Sequence, residues 1–114
     1  MRLKQEKFYK HCNFNGKEYA IECMGEPIEM QGIKYYVNKM MIGNGWVVTV
    51  GNTGANIGEV FNSRKQAVET IPKLSEQVQE AVKKYPDIMD VFEKRLKRLK
   101  TLNEEQYREL IRKG

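Results

Sequence analysis

The stretch FYKHCNFNGKEYAIECM, Phe8 to Met24, decides the fold. Two runs rich in aromatic and apolar residues flank Asn15-Gly16, a dipeptide that adopts positive φ readily and closes a two-residue type I′ hairpin. The turn dictates a register, with Phe14 opposite Lys17, Cys12 opposite Tyr19, Lys10 opposite Ile21 and Phe8 opposite Cys23. Side chains alternate between the faces of a strand, so one face reads Phe8, Cys12, Phe14, Tyr19, Ile21 and Cys23. The other reads Tyr9, His11, Asn13, Glu18, Ala20, Glu22 and Met24. The first is the core face.

Working outward from the hairpin, further short runs follow from Pro27 to Met30, Ile33 to Ile42, Trp46 to Val50 and Asn56 to Phe61. Gln31-Gly32, Gly43-Asn44-Gly45 and Gly51-Asn52-Thr53-Gly54 separate them as turns. Five or six antiparallel strands are therefore expected before residue 63. There the period changes. Ser63 followed by Gln66 fits a capping box, and Ala67, Ile71, Leu74, Val78, Ala81 and Tyr85 recur at helical spacing. Pro72 lacks an amide hydrogen and crowds the preceding turn, which predicts a kink or break. Tyr85-Pro86 ends that element. A second helix is expected from Asp87 to Lys100 with Ile88, Phe92, Leu96 and Leu99 on one side. A third begins at Asn103, where Asn103 and Gln106 make another capping box and Leu102 and Tyr107 occupy the staple positions.

These elements define an α+β fold, an N-terminal antiparallel sheet of five or six strands packed against C-terminal helices. The 114 residues make a single domain, with a β-sheet half over 1–62 and a helical half over 63–114. Its expected core comprises Phe8, Phe14, Tyr19, Ile21, Val37, Trp46, Val48, Val50, Val68, Leu74 and Val78. No apolar run reaches the roughly 18 residues that a membrane span needs, and the first residues lack the apolar segment of a secretory signal. A cytoplasmic location follows as the expectation.

Catalytic constellations have few possible members, because the chain holds one histidine, two aspartates and two serines. Ser63 reads as a cap, Asp87 as a helix-start residue and His11 as a residue of the outer hairpin face. Cys12 and Cys23 stand four residues apart in the hairpin register, on the order of 13 Å, too far for a disulfide. No second ligand pair accompanies them for zinc. Gly51-Asn52-Thr53-Gly54 has the GxxG form of nucleic-acid-clamping loops, but those join helices and this one joins strands. The reading is a protein without enzymatic activity, cofactor or metal.

The charge map is more informative. Twenty basic and fifteen acidic side chains leave a net charge of +5. Residues 1–62 carry seven basic and six acidic groups, residues 63–93 five and six, and residues 101–114 three and three. The whole surplus therefore equals the five cations of KRLKRLK, residues 94–100: Lys94, Arg95, Lys97, Arg98 and Lys100. Part of this is what any amphipathic helix places near its negative end. Five cations with no acid among them repel one another, and such a cluster implies an anionic partner. Nucleic acid, DNA or RNA, or a nucleoprotein complex fits best, since spaced Lys and Arg neutralise phosphates and release counterions. Arg64, Lys65, Lys83 and Lys84 are possible additional contacts.

Trp46 to Val50, a glycine turn, Asn56 to Phe61 and then Ser63-Arg64-Lys65-Gln66-Ala67 form a hairpin followed by a basic-tipped helix. This outline resembles the end of double-stranded-RNA-binding domains and the arm-binding domains of phage-type integrases. The resemblance implies nucleic-acid contacts at Arg64 and Lys65. The alternative reading is a small protein–protein interaction module, such as a phage or mobile-element inhibitor of a host protein, with Tyr9, Met24 and Tyr36 supplying an adaptable apolar surface.

Overall fold

A computed structural model describes residues 4–114. Strands β1 (Glu6–Phe14), β2 (Lys17–Met30), β3 (Ile33–Lys39), β4 (Trp46–Val50) and β5 (Ala55–Phe61) precede helices α1 (Arg64–Lys84) and α2 (Ile88–Lys97). A short strand β6 (Lys100–Asn103) and helix α3 (Glu104–Lys113) complete the chain. The first five strands form an antiparallel meander in sequence order, so the fold is α+β.

The first hairpin has the register read from Asn15-Gly16, including Phe14 opposite Lys17 and Phe8 opposite Cys23. Asn15 and Gly16 have φ values of 52° and 80°, and Gln31 and Gly32 repeat the pattern at 53° and 79°. Two primed turns therefore join β1 to β2 and β2 to β3.

Lys17 to Met24 and Pro27 to Met30, expected as separate runs, are one strand of 14 residues. Its first part pairs with β1 as far as Gly25, and its second pairs with β3 from Glu26 onward. Gly25 marks the change of partner. A β-carbon there would lie 2.8 Å from Phe8 Cε1 and 3.1 Å from the Val37 carbonyl oxygen, so only glycine lets the layers approach. Because β3 leaves the Tyr19–Glu22 edge of β2 unpaired, β6 takes it, with Ile21 opposite Leu102. This sixth strand is parallel and comes from the C-terminal half, satisfying edge groups that would otherwise lack partners.

Two apolar clusters cover opposite faces of the folded sheet, and the neighbours Tyr35 and Tyr36 point into different ones. Tyr35 joins Val37, Val48, Val50 and Phe61 under the α1 stripe of Ala67, Ile71, Leu74 and Val78. Tyr36 joins Phe8, Tyr19, Ile21 and Cys23 under Tyr107, Leu110 and Ile111 of α3. The ring of Tyr36 stacks on that of Phe8 at 4.5 Å. Tyr36 is thus core and not surface, whereas Met24 is half exposed. Of the expected core residues, Phe14, Trp46 and Val68 are only partly buried, at the margins of these clusters.

Helix α1 is continuous through Pro72, so the expected break does not occur. Burial of Ile71 and Leu74 on either side outweighs one missing backbone bond. Ser63 Oγ accepts from the Gln66 amide as expected, while the Gln66 side chain accepts from Asn62. Tyr85, assigned to the apolar stripe from its spacing, is 57% exposed at the end of the helix. At α3 the full Asn103–Gln106 capping box forms.

Candidate nucleic-acid interface

The segment 94–100 is not one helix. Helix α2 ends at Lys97, Arg98 and Leu99 form a turn, and Lys100 opens β6. The expected helix to Lys100 stops early because the chain must extend to meet the β2 edge opposite Tyr19. Leu96 is the one buried residue of α2. It packs on Gly54, whose φ of 75° suits glycine and whose carbonyl accepts a hydrogen bond from the His11 amide at 2.9 Å. The Gly51–Gly54 stretch, a 3₁₀ turn (Gly51–Thr53) with its glycine cap, thus joins strands as expected and serves as the seat of the basic helix.

All five cations are exposed, but three have carboxylate neighbours within the chain. Lys94 pairs with Asp90 at 3.0 Å and Lys97 with Glu93 at 3.3 Å, both one helical turn back. Arg95 reaches across to Glu18 Oε1 at 2.6 Å, which also accepts from His11 Nε2 at 3.1 Å. Arg98 and Lys100 have no carboxylate within ion-pair distance among the described residues. Exposed pairs of the Lys94 and Lys97 kind contribute little and exchange readily for another anion. A cleft of about 430 Å³ runs beside the segment, lined by Tyr9, Ala20, Asn52, Leu96, Lys97 and Thr101, with Glu93 at its rim.

The other four candidate residues do not join this surface as a group. Arg64 makes a two-pronged bond to Glu26, with Nε donating at 2.8 Å, and so holds the start of α1 to β2. Lys65 lies 4.0 Å from Glu69. Lys83 and Lys84 sit at the other end of α1, roughly 30 Å along its axis from Arg64. Lys84 lies over the Tyr85 ring at 5.8 Å.

The spacing of Asp90 to Lys94 and of Glu93 to Lys97 was readable as helical pairing. Glu18 carried no such signal, being 77 positions from Arg95. Among the described residues no three His, Cys, Asp or Glu side chains converge to hold a metal, and no helix is long and apolar enough to cross a membrane. No family model matches the chain, and neither the curated proteins nor the solved structures give a significant match.

Proposed function

We propose that the protein is a non-enzymatic binding protein that holds nucleic acid, alone or within a nucleoprotein complex, through the exposed cations of residues 94–100. The observation that supports this is the uncommitted pair Arg98 and Lys100, adjoined by Lys94, Arg95 and Lys97, on one helix end and the strand that follows. Phosphate oxygens would displace the weak exposed contacts to Asp90 and Glu93. Such contacts position a duplex without reading its sequence. Arg64 is committed to Glu26 and is not assigned to this surface. Protein purified without nuclease is expected to carry nucleic acid, visible in its ultraviolet absorbance. A nucleic-acid-free preparation that also fails to bind added duplex would refute the proposal.

A second reading, a small protein–protein interaction module such as an inhibitor of a host protein, has its own support. At the α1–α2 corner Tyr85 and Val91 are 57% and 59% exposed, beside Pro86, Ile88 and Phe92. Apolar side chains so presented are common at protein interfaces. A partner retained from lysate after nuclease treatment, and lost on Val91→Asp, would favour this reading over nucleic acid.

A further inference from the structure

The meander curls until the edge of β1 lies beside the β4–β5 connection, where His11 N bonds Gly54 O. Beside this bond the seam stays open as a cavity of about 260 Å³. Lys10, His11, Cys12, Asn56 and Tyr107 line it on one side, with Met40, Met41, Ile42, Val47 and Val60 supplying apolar wall. Ile42 and Val60 are each half exposed at this site.

Lys10 sets the cavity apart. Register places it opposite Ile21 on the core face, and it is 4% exposed. It has neither a hydrogen-bond nor an ion-pair partner among the described residues, and its ammonium is not one of the fully enclosed polar atoms, so a buried side chain carries its charge to the cavity. Glu104 on α3, the nearby carboxylate, is engaged by Arg108 at 3.2 Å. The adjoining interior is polar as well. Asn38 donates to Thr49 Oγ1, which donates to Asn56 Oδ1 at 2.7 Å, while Asn38 Oδ1 is buried with no donor. This polar chain ends at Asn56, on the cavity wall.

We infer that the seam cavity is a binding site for a small monocarboxylate with an apolar body, its carboxylate paired with the Lys10 ammonium and its hydrocarbon against Met40, Met41, Ile42, Val47 and Val60. One cation without a direct ion pair among the described residues matches one negative charge. The thioether and branched walls suit an aliphatic or aromatic tail, and apolar pockets with a few convergent polar groups are common ligand sites. Asn56 and Tyr107 offer hydrogen bonds to the second carboxylate oxygen. The site is separate from residues 94–100, so it stands whether or not the protein binds nucleic acid.

Methyl NMR of the whole chain, titrated separately with hexanoate, hexanol and hexylammonium, tests this. Hexanoate should shift the methyl signals of Met40, Met41, Ile42, Val47 and Val60 saturably. It should also bind at least about tenfold more tightly than hexylammonium, as one charge-assisted contact requires. In Lys10→Met, folded by circular dichroism, the preference for hexanoate over hexanol should vanish. Equal affinities of hexanoate and hexylammonium for the unaltered protein, shifts confined to other methyls, or an undiminished hexanoate preference in Lys10→Met would overturn the assignment. Should the variant not fold, the ranking on the unaltered chain decides alone.

Discussion

Leu96 rests on Gly54 so closely that a β-carbon at position 54 would lie 2.9 Å from Leu96 Cδ1 and 2.8 Å from the His11 amide nitrogen. The contact ties the basic helix to the β4–β5 connection and excludes any side chain there. Gly54→Ala should therefore cost about 2 kcal/mol or more, from left-handed strain and from displacement of Leu96. Leu96→Ala should cost about 2–4 kcal/mol. Thermal unfolding measures both, and trypsin should cut after Lys94 or Arg95 faster in either variant. A Gly54→Ala protein as stable as its parent would show that this seat is not formed.

Asp90 and Glu93 hold Lys94 and Lys97 in exposed pairs. Because such pairs exchange for phosphate, Lys94, Lys97, Arg98 and Lys100 all contribute, and log K against log salt should have a slope of about −4. Neutralising both acids in Asp90→Asn/Glu93→Gln removes the competing carboxylates and should tighten binding while leaving the slope near that value. Fluorescence anisotropy of a labelled duplex across a salt series reads both quantities. A parent slope near about −2 that steepens in the variant would mean that these pairs withhold the two lysines from phosphate.

Lys10 makes a separate prediction about stability. Burial holds its pKa below the ordinary lysine value of 10.5. Below that depressed pKa the ammonium is charged in both folded and unfolded chains, and the cost of burying it is present in full. Between the depressed pKa and 10.5 the unfolded chain keeps the proton that the folded chain has lost, so this cost fades as pH rises. The other titratable groups facing Lys10 are Cys12, Cys23 and Glu104. Burial raises both thiols, so above about 9 they act in the opposite sense. The difference between Lys10→Met and its parent isolates the lysine. The variant should be more stable by about 1 kcal/mol or more at neutral pH, and the gap should close toward pH 10.5 in denaturant titrations. A gap that is constant across this range would contradict the assigned environment of Lys10.

How much of this was legible in the sequence differs from element to element. Asn15-Gly16 and Asn103-Gln106 were readable because turn and cap chemistry is local, and both occur where expected. The alternation that placed Phe8 and Ile21 inside also places Lys10 inside, but a lysine in that pattern reads as an interruption until its burial is seen. Leu99 and Lys100 continue the helical period of α2, yet the open edge of β2 turns the chain into a strand, a tertiary preference that overrides local spacing. The Arg95–Glu18 and Arg64–Glu26 bonds join residues far apart in sequence and leave no periodic trace. The surplus charge was countable from composition, whereas its partial pairing needed the coordinates.

Cys23 is 3% exposed, and burial pushes its thiol up to about 12. Thiolate is the reactive form, so a disulfide reagent at pH 8 should modify Cys23 in the folded protein at least about a thousandfold more slowly than in denaturant. Mass spectrometry of quenched samples follows the two cysteines separately, with the partly buried Cys12 reacting first. Equal rates for Cys23 in folded and denatured protein would contradict its placement under α3.

Binding of a labelled DNA or RNA duplex before and after replacing Lys94, Arg95, Lys97, Arg98 and Lys100 by glutamine is the most direct measurement, with circular dichroism confirming that the fold persists. The expected result is salt-sensitive binding by the parent and a loss of at least about a hundredfold in the variant at low salt. Equal affinity in the two proteins, or none in the parent, would contradict a nucleic-acid role for this segment.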